Sequence, residues 1–76
     1  MEEVKNAVLK DLQAITGRTD VTPEMNFLTD LPLTSVNAMK LLFDLENDLG
    51  IDSIPEEILY TVETVQQLID EVEKLR

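Results

Sequence analysis

The sequence predicts an all-α fold: a small four-helix bundle of three main helices and one short third helix, with a long loop between helices 1 and 2. Three observations predict it. Apolar residues recur at helical spacing in three separate stretches, no stretch alternates as a half-buried strand would, and capping residues stand where those stretches begin and end. A chain of 76 residues has room for one domain, residues 1–76. A domain of that size buries only about 60% of the surface its unfolded chain exposes, so it is expected to be marginally stable.

Val4, Ala7, Val8, Leu12 and Ile15 share one helical face, with Glu2, Glu3, Lys5, Lys10, Asp11 and Gln13 read as lying outside it. Gly17 suits a left-handed C-terminal cap, which gives a first helix over 2–16. Residues 18–34 form the long connection, in which Thr22-Pro23 suits the start of one short turn. Phe27, Leu28, Leu31 and Leu33 are too apolar for a free loop and are expected to tuck it onto the core.

The second helix is read over 35–49, with Val36, Met39, Leu42, Phe43, Leu45 and Leu49 as its apolar face and Gly50 as its stop. Lys40 and Asp44 are spaced for a modest surface pair. Pro55-Glu56-Glu57-Ile58-Leu59-Tyr60 has proline at a first helical position and acids in the first turn, the pattern of a short helix. Thr64-Val65-Gln66-Gln67 reads as a capping box opening a last helix whose stripe is Val65, Leu68, Ile69, Val72 and Leu75. Lys74 and Arg76 fall at the end where cations are favoured.

Composition excludes several function classes. Histidine and cysteine are both absent, so no Ser-His or Cys-His catalytic pair, disulfide, thiolate ligand or His-based zinc site exists. The acids that remain are read as a solvated surface, and the chain is expected not to be an enzyme and to hold no dedicated metal. Sixteen acidic and six basic residues give a net charge of −10, a field that repels nucleic acid and anionic membranes and attracts proteins with basic patches. No run of about 18 apolar residues exists to span a membrane. The opening Met-Glu-Glu-Val-Lys is not the basic start of a secretory signal, and a cytoplasmic monomer is expected. Asp44-Leu-Glu46-Asn-Asp48 suggests a calcium loop, but the positions that need Gly and Glu hold Leu49 and Pro55.

"DLPLTSVNAM", residues 30–39, carries the functional signal. Two hydroxyls stand at one helix start, and capping accounts for one of them, Thr34. Ser35 would then be the first residue inside the helix, exposed and free. A free hydroxyl at a positively polarised helix start favours an attached or bound phosphate.

That arrangement resembles the acyl carrier proteins, small acidic four-helix domains whose core motif is Asp-Ser-Leu at the start of the second helix. "FLTDLPLTSVNAM" stands in that place, with Phe27, Leu28, Asp30 and Leu31 matching the lead-in and Ser35 on the modified serine. "LENDLGIDSIPEE" is similar to the segment between the family's second and third helices, and "TVQQLID" to the start of its fourth. The resemblance implies a carrier of acyl or related intermediates, held as thioesters on a 4′-phosphopantetheine arm attached to Ser35 from coenzyme A. The setting it implies is fatty acid, lipid or polyketide-type biosynthesis. Phe27, Leu28, Met39 and Leu42, with Leu45, Ile54, Leu59 and Leu68, are the candidates for a lining that shelters the acyl group.

The implied partners are a phosphopantetheinyl transferase and acyl-transferring or condensing enzymes with basic patches. They would dock on Val36, Asn37, Lys40, Asp44 and Asp48 of the second helix and on Asp52, Glu56 and Glu57 beyond. This chain departs from the family pattern at several of those positions. Thr34 replaces the usual Asp, Val36 the usual Leu, and Pro32 the Gly of the turn. Asn37 and Lys40 replace usual acids, and one extra residue falls near Ser53. A specialised carrier with dedicated enzymes is the expectation; an unmodified interaction module that keeps the fold is the alternative.

Overall fold

The computed structural model describes residues 2–76. It contains α1 (Glu2–Thr16), α2 (Ser35–Leu49), α3 (Ile58–Thr61) and α4 (Val65–Lys74), with no strand among the described residues. Helix α1 packs on α2 and α4, and α3 packs on α4. The core between them is aliphatic: Val4, Val8 and Leu12 of α1, Leu41, Leu42 and Leu45 of α2, and Val65, Leu68 and Val72 of α4 are its best-buried members. No helix among the described residues is long and apolar enough to cross a membrane.

The stops and starts follow from backbone chemistry. Gly17 and Gly50 both take left-handed conformations, φ 74° and 67°, which a side chain would strain. The Gly50 N–H donates to the Glu46 carbonyl and closes α2. Helix α4 opens with the reciprocal capping box, the Gln67 N–H donating to Thr64 Oγ1 at 3.2 Å and the Thr64 N–H to Gln67 Oε1 at 3.3 Å.

The long loop is held down by its own backbone. Asn26 and Thr64 form an isolated antiparallel bridge, with the Phe27 N–H donating to the Glu63 carbonyl and the Val65 N–H to the Met25 carbonyl. Asn26 Oδ1 accepts the Leu28 amide at 2.7 Å, Asp30 Oδ2 accepts the Asn26 amide at 2.9 Å, and Arg18 Nη1 donates to the Asp30 carbonyl. This lock buries Val21 and Leu31 and half-buries Phe27 and Leu33. Leu28 is the exception to the expected tucking: it is 81% exposed.

Other expectations need correction. The short third helix begins at Ile58 and not at Pro55. The amides of Ile58, Leu59 and Tyr60 donate to the carbonyls three residues back, so the segment from Pro55 winds as tight turns first. On α2 the buried stripe is Leu41, Leu42, Leu45 and Leu49, whereas Val36 and Phe43 face solvent. Leu75 is exposed at the frayed end of α4. Asp11 is buried rather than outside. The expected Lys40–Asp44 pair does not form among the described residues, and a cation placed N-terminal to the acid is the weaker order for such a pair.

Candidate functional site

The site begins at the first residue of α2. Thr34 sits just before it in an extended conformation, and its Oγ1 accepts the Asn37 amide at 3.1 Å. Its carbonyl takes the Ala38 amide, so both ends of Thr34 are committed to starting the helix. Ser35 is exposed, and its hydroxyl has no hydrogen-bond partner among the described residues. The first turn of α2 holds no acidic residue, so nothing there offsets the positive end of the helix dipole.

Two apolar depressions meet at Ser35. One is a cleft of about 320 Å³ between the long loop, the first turns of α2 and the α3 segment. Phe27, Leu28 and Leu33 wall it from the loop, Ala38 and Met39 from α2, and Leu59, Tyr60 and Val62 from α3 and the residue that follows. Glu56 is the charged residue at its edge. The other is a shallow groove along the outer face of α2, lined by Ser35, Val36, Met39, Lys40 and Phe43. Phe43 is 59% exposed and Tyr60 81%, so large apolar side chains flank the serine on both sides.

The structure divides the eight lining candidates. Phe27, Leu28, Met39 and Leu59 line the cleft. Leu42, Leu45, Ile54 and Leu68 do not; they are packed into the core. Helical spacing marks a residue as apolar-facing but does not distinguish a filled interior from a wall with space in front of it. Sequence reasoning missed Leu33, Ala38, Tyr60 and Val62. Of these, Tyr60 carried a signal, an aromatic three and four residues after the acids Glu57 and Glu56 that no core stripe required.

The eight docking candidates do not form one surface. Val36 and Lys40 lie with Phe43 on the outer groove. Asn37 lines a different depression with Arg18, Asp30 and Leu33. Asn37, Asp44 and Asp48 fall one or two turns apart, which puts them on a common side of α2. Asp48 meets Lys10 of α1 there, Nζ to Oδ2 3.4 Å. Asp52, Glu56 and Glu57 are exposed on the approach to α3. No group of three or more His, Cys, Asp or Glu residues among those described could hold a metal ion.

Three comparisons bear on this arrangement. The family model described as the phosphopantetheine attachment site matches residues 3–72. The acyl carrier protein of Rubrobacter xylanophilus is 31% identical over 74 residues, covering 90% of each chain. Among solved structures, a Mycobacterium tuberculosis protein assigned as an acyl carrier protein has a TM-score of 0.80 at 21% identity, covering 93% of this chain and 96% of that one. At that identity the last likeness is one of fold.

Proposed function

This chain belongs to the acyl carrier protein family, a carrier and not an enzyme, and from that premise we propose that Ser35 bears its 4′-phosphopantetheine arm. The observation that carries the reading is the exposed, unpartnered Ser35 hydroxyl at the meeting of two apolar depressions. The residues present fit the group. Thr34 already caps the helix, so esterifying Ser35 costs no existing hydrogen bond. The positive end of a 15-residue helix, with no acid in its first turn, favours a phosphodiester there. When attached, the arm supplies the thiol that a cysteine-free chain lacks, on which acyl groups are carried as thioesters.

The protein's own residues then shelter and present. Phe27, Leu28, Met39 and Leu59 offer apolar wall to a carried chain, and Leu33, Ala38 and Val62 complete it. Partner enzymes meet two different surfaces. Val36, Lys40 and Phe43 form a nearly apolar face beside Ser35, while Asp52, Glu56 and Glu57 form an acidic approach that steers basic patches toward it. The setting that this reading favours is fatty acid, lipid or polyketide-type synthesis with dedicated enzymes, because the face beside the serine lacks acids. Incubation with coenzyme A and a broad-specificity phosphopantetheinyl transferase, followed by intact mass, tests it. One phosphopantetheine is expected on the wild type and none on Ser35→Ala. An unchanged wild-type mass with several transferases overturns the assignment and leaves an interaction module.

A further inference from the structure

Asp11 takes no part in the cleft or in either docking surface, yet it is the one charged residue among those described that the fold buries, at 6% exposure. It lies on the α1 stripe beside Val8 and Leu12, where α1 packs against α2. Its Oδ2 has no hydrogen-bond partner. The groups facing it from α2 are themselves carboxylates, Asp48, which reaches α1 at Lys10, and Asp44. The cation beside it, Lys10, is already engaged with Asp48. Helix α4, packed on α1 from another side, buries Val65, Leu68, Ile69 and Val72, all apolar.

A buried carboxylate facing a second one at the rim of the seam cannot ionise cheaply while its neighbour is ionised. A single proton converts their contact from repulsion into a hydrogen bond, with the Asp11 O–H donating to the Asp48 carboxylate. We infer that Asp11 and Asp48 form a proton-gated latch across the α1–α2 seam, closed when the pair holds one proton and loosened when both are ionised. Burial first, then contact with Asp48 and the charges of Asp48 and Asp44, push the Asp11 carboxyl up to about 7, against the opposing pull of Lys10. The seam and the cleft share α2, so loosening one edge of that helix alters the support behind Ala38 and Met39 on the other.

The sign of the pH dependence follows. An unfolded aspartate titrates near about 3.9. Between that value and about 7 the folded state holds a proton that the unfolded state lacks, so stability falls as pH rises through this window and levels off above it. The chain has no histidine, so no other side-chain type ordinarily titrates between about pH 5.5 and 7.5. Repulsion among the surface acids is screened by salt, whereas the cost of ionising a buried Asp11 is screened much less.

The test is a carbon-13 NMR titration of the side-chain carboxyls in the full chain. Asp11 is expected to titrate within about one unit of 7, apart from the other acids. A midpoint near about 4 overturns the latch. Thermal unfolding supplies a second readout. The wild type is expected to melt higher at about pH 5.5 than at about pH 7.5, with the difference surviving about 0.5 M salt. Asp11→Asn, which keeps the shape and donates to Asp48 at any pH, is expected to abolish the difference and to melt higher than wild type at the upper pH. A wild-type difference that vanishes in salt, or one that Asp11→Asn retains, overturns the proposal.

Discussion

The two ends of helix α2 have opposite characters. At its N-terminal end Ser35 and Val36 are exposed, the first turn holds no acid, and the Ser35 hydroxyl touches no partner. At its C-terminal end Leu45 and Leu49 are buried and Asp48 lies across from Asp11. There Glu46 accepts the Ile54 amide on Oε2 at 2.7 Å and the Gly50 and Ile51 amides on its carbonyl. One end presents groups and the other holds the fold. The serine can therefore be altered without structural cost, because the buried anchors of α2 begin only at Leu41, more than one turn away.

The sharpest way to break that comparison is to truncate one residue at each end. Leu45→Ala, at a fully buried position, is expected to lose about 2–5 kcal/mol. A small domain has little more than that in total, about 5 kcal/mol, so the variant should keep only about 0–3 kcal/mol and unfold at a much lower urea concentration. Ser35→Ala should stay within about 0.5 kcal/mol of wild type while losing the attachment site entirely. Urea unfolding followed by circular dichroism measures both, and similar losses at the two positions would mean that the ends are not distinct.

Glu46→Ala probes the holding end without touching the core. It strands the partly buried Ile54 amide, and the expected loss is about 1–3 kcal/mol. Hydrogen exchange should localise the damage to residues 50–58, leaving the amides near Ser35 protected as before. Thr34→Ala is the matching change at the presenting end and should cost about 1 kcal/mol through the lost cap, with modification of Ser35 still proceeding. Protection lost along the whole of α2 in that variant would show that the cap does more than start the helix.

How much of this was legible in the sequence depends on what each residue does. The ends of α1 and α2 were readable because capping chemistry is local: Thr34 accepts the amide three residues on, and the Gly17 and Gly50 amides donate to carbonyls four residues back. The buried stripes were readable only in part. Leu41 falls four residues before Leu45 and eight before Leu49, and a stripe of 38, 41, 42, 45 and 49 fits the helical period better than one containing Val36 and Phe43. Asp11 was misplaced for the opposite reason. Its spacing from Val4, Val8 and Ile15 already put it on the apolar side, but its charge argued it outward. Which apolar residues line the cleft was not legible at all. That depends on the long loop folding back through Asn26 and Asp30, a set of contacts that no periodicity encodes.

The smallest expected effect concerns the face beside the serine. Lys40 is exposed between Val36 and Phe43 and has no ion pair among the described residues, so its charge is available to a partner. Lys40→Glu changes that face by two charge units in the direction of the acidic approach formed by Asp52, Glu56 and Glu57. An added acid four residues before Asp44 costs the helix only about 0.2–0.5 kcal/mol. With an enzyme whose docking surface is basic, kcat/KM should rise about threefold to tenfold at low salt, through faster encounter, and the gain should fade as salt screens it. The same comparison with Asp48→Asn, at the holding end and turned toward α1, should leave kcat/KM unchanged. A gain from Lys40→Glu that persists at high salt would mean that the lysine acts by shape within the apolar groove. A loss from Asp48→Asn equal in size would mean that partners read the whole length of α2, and the division between its two ends would not extend to recognition.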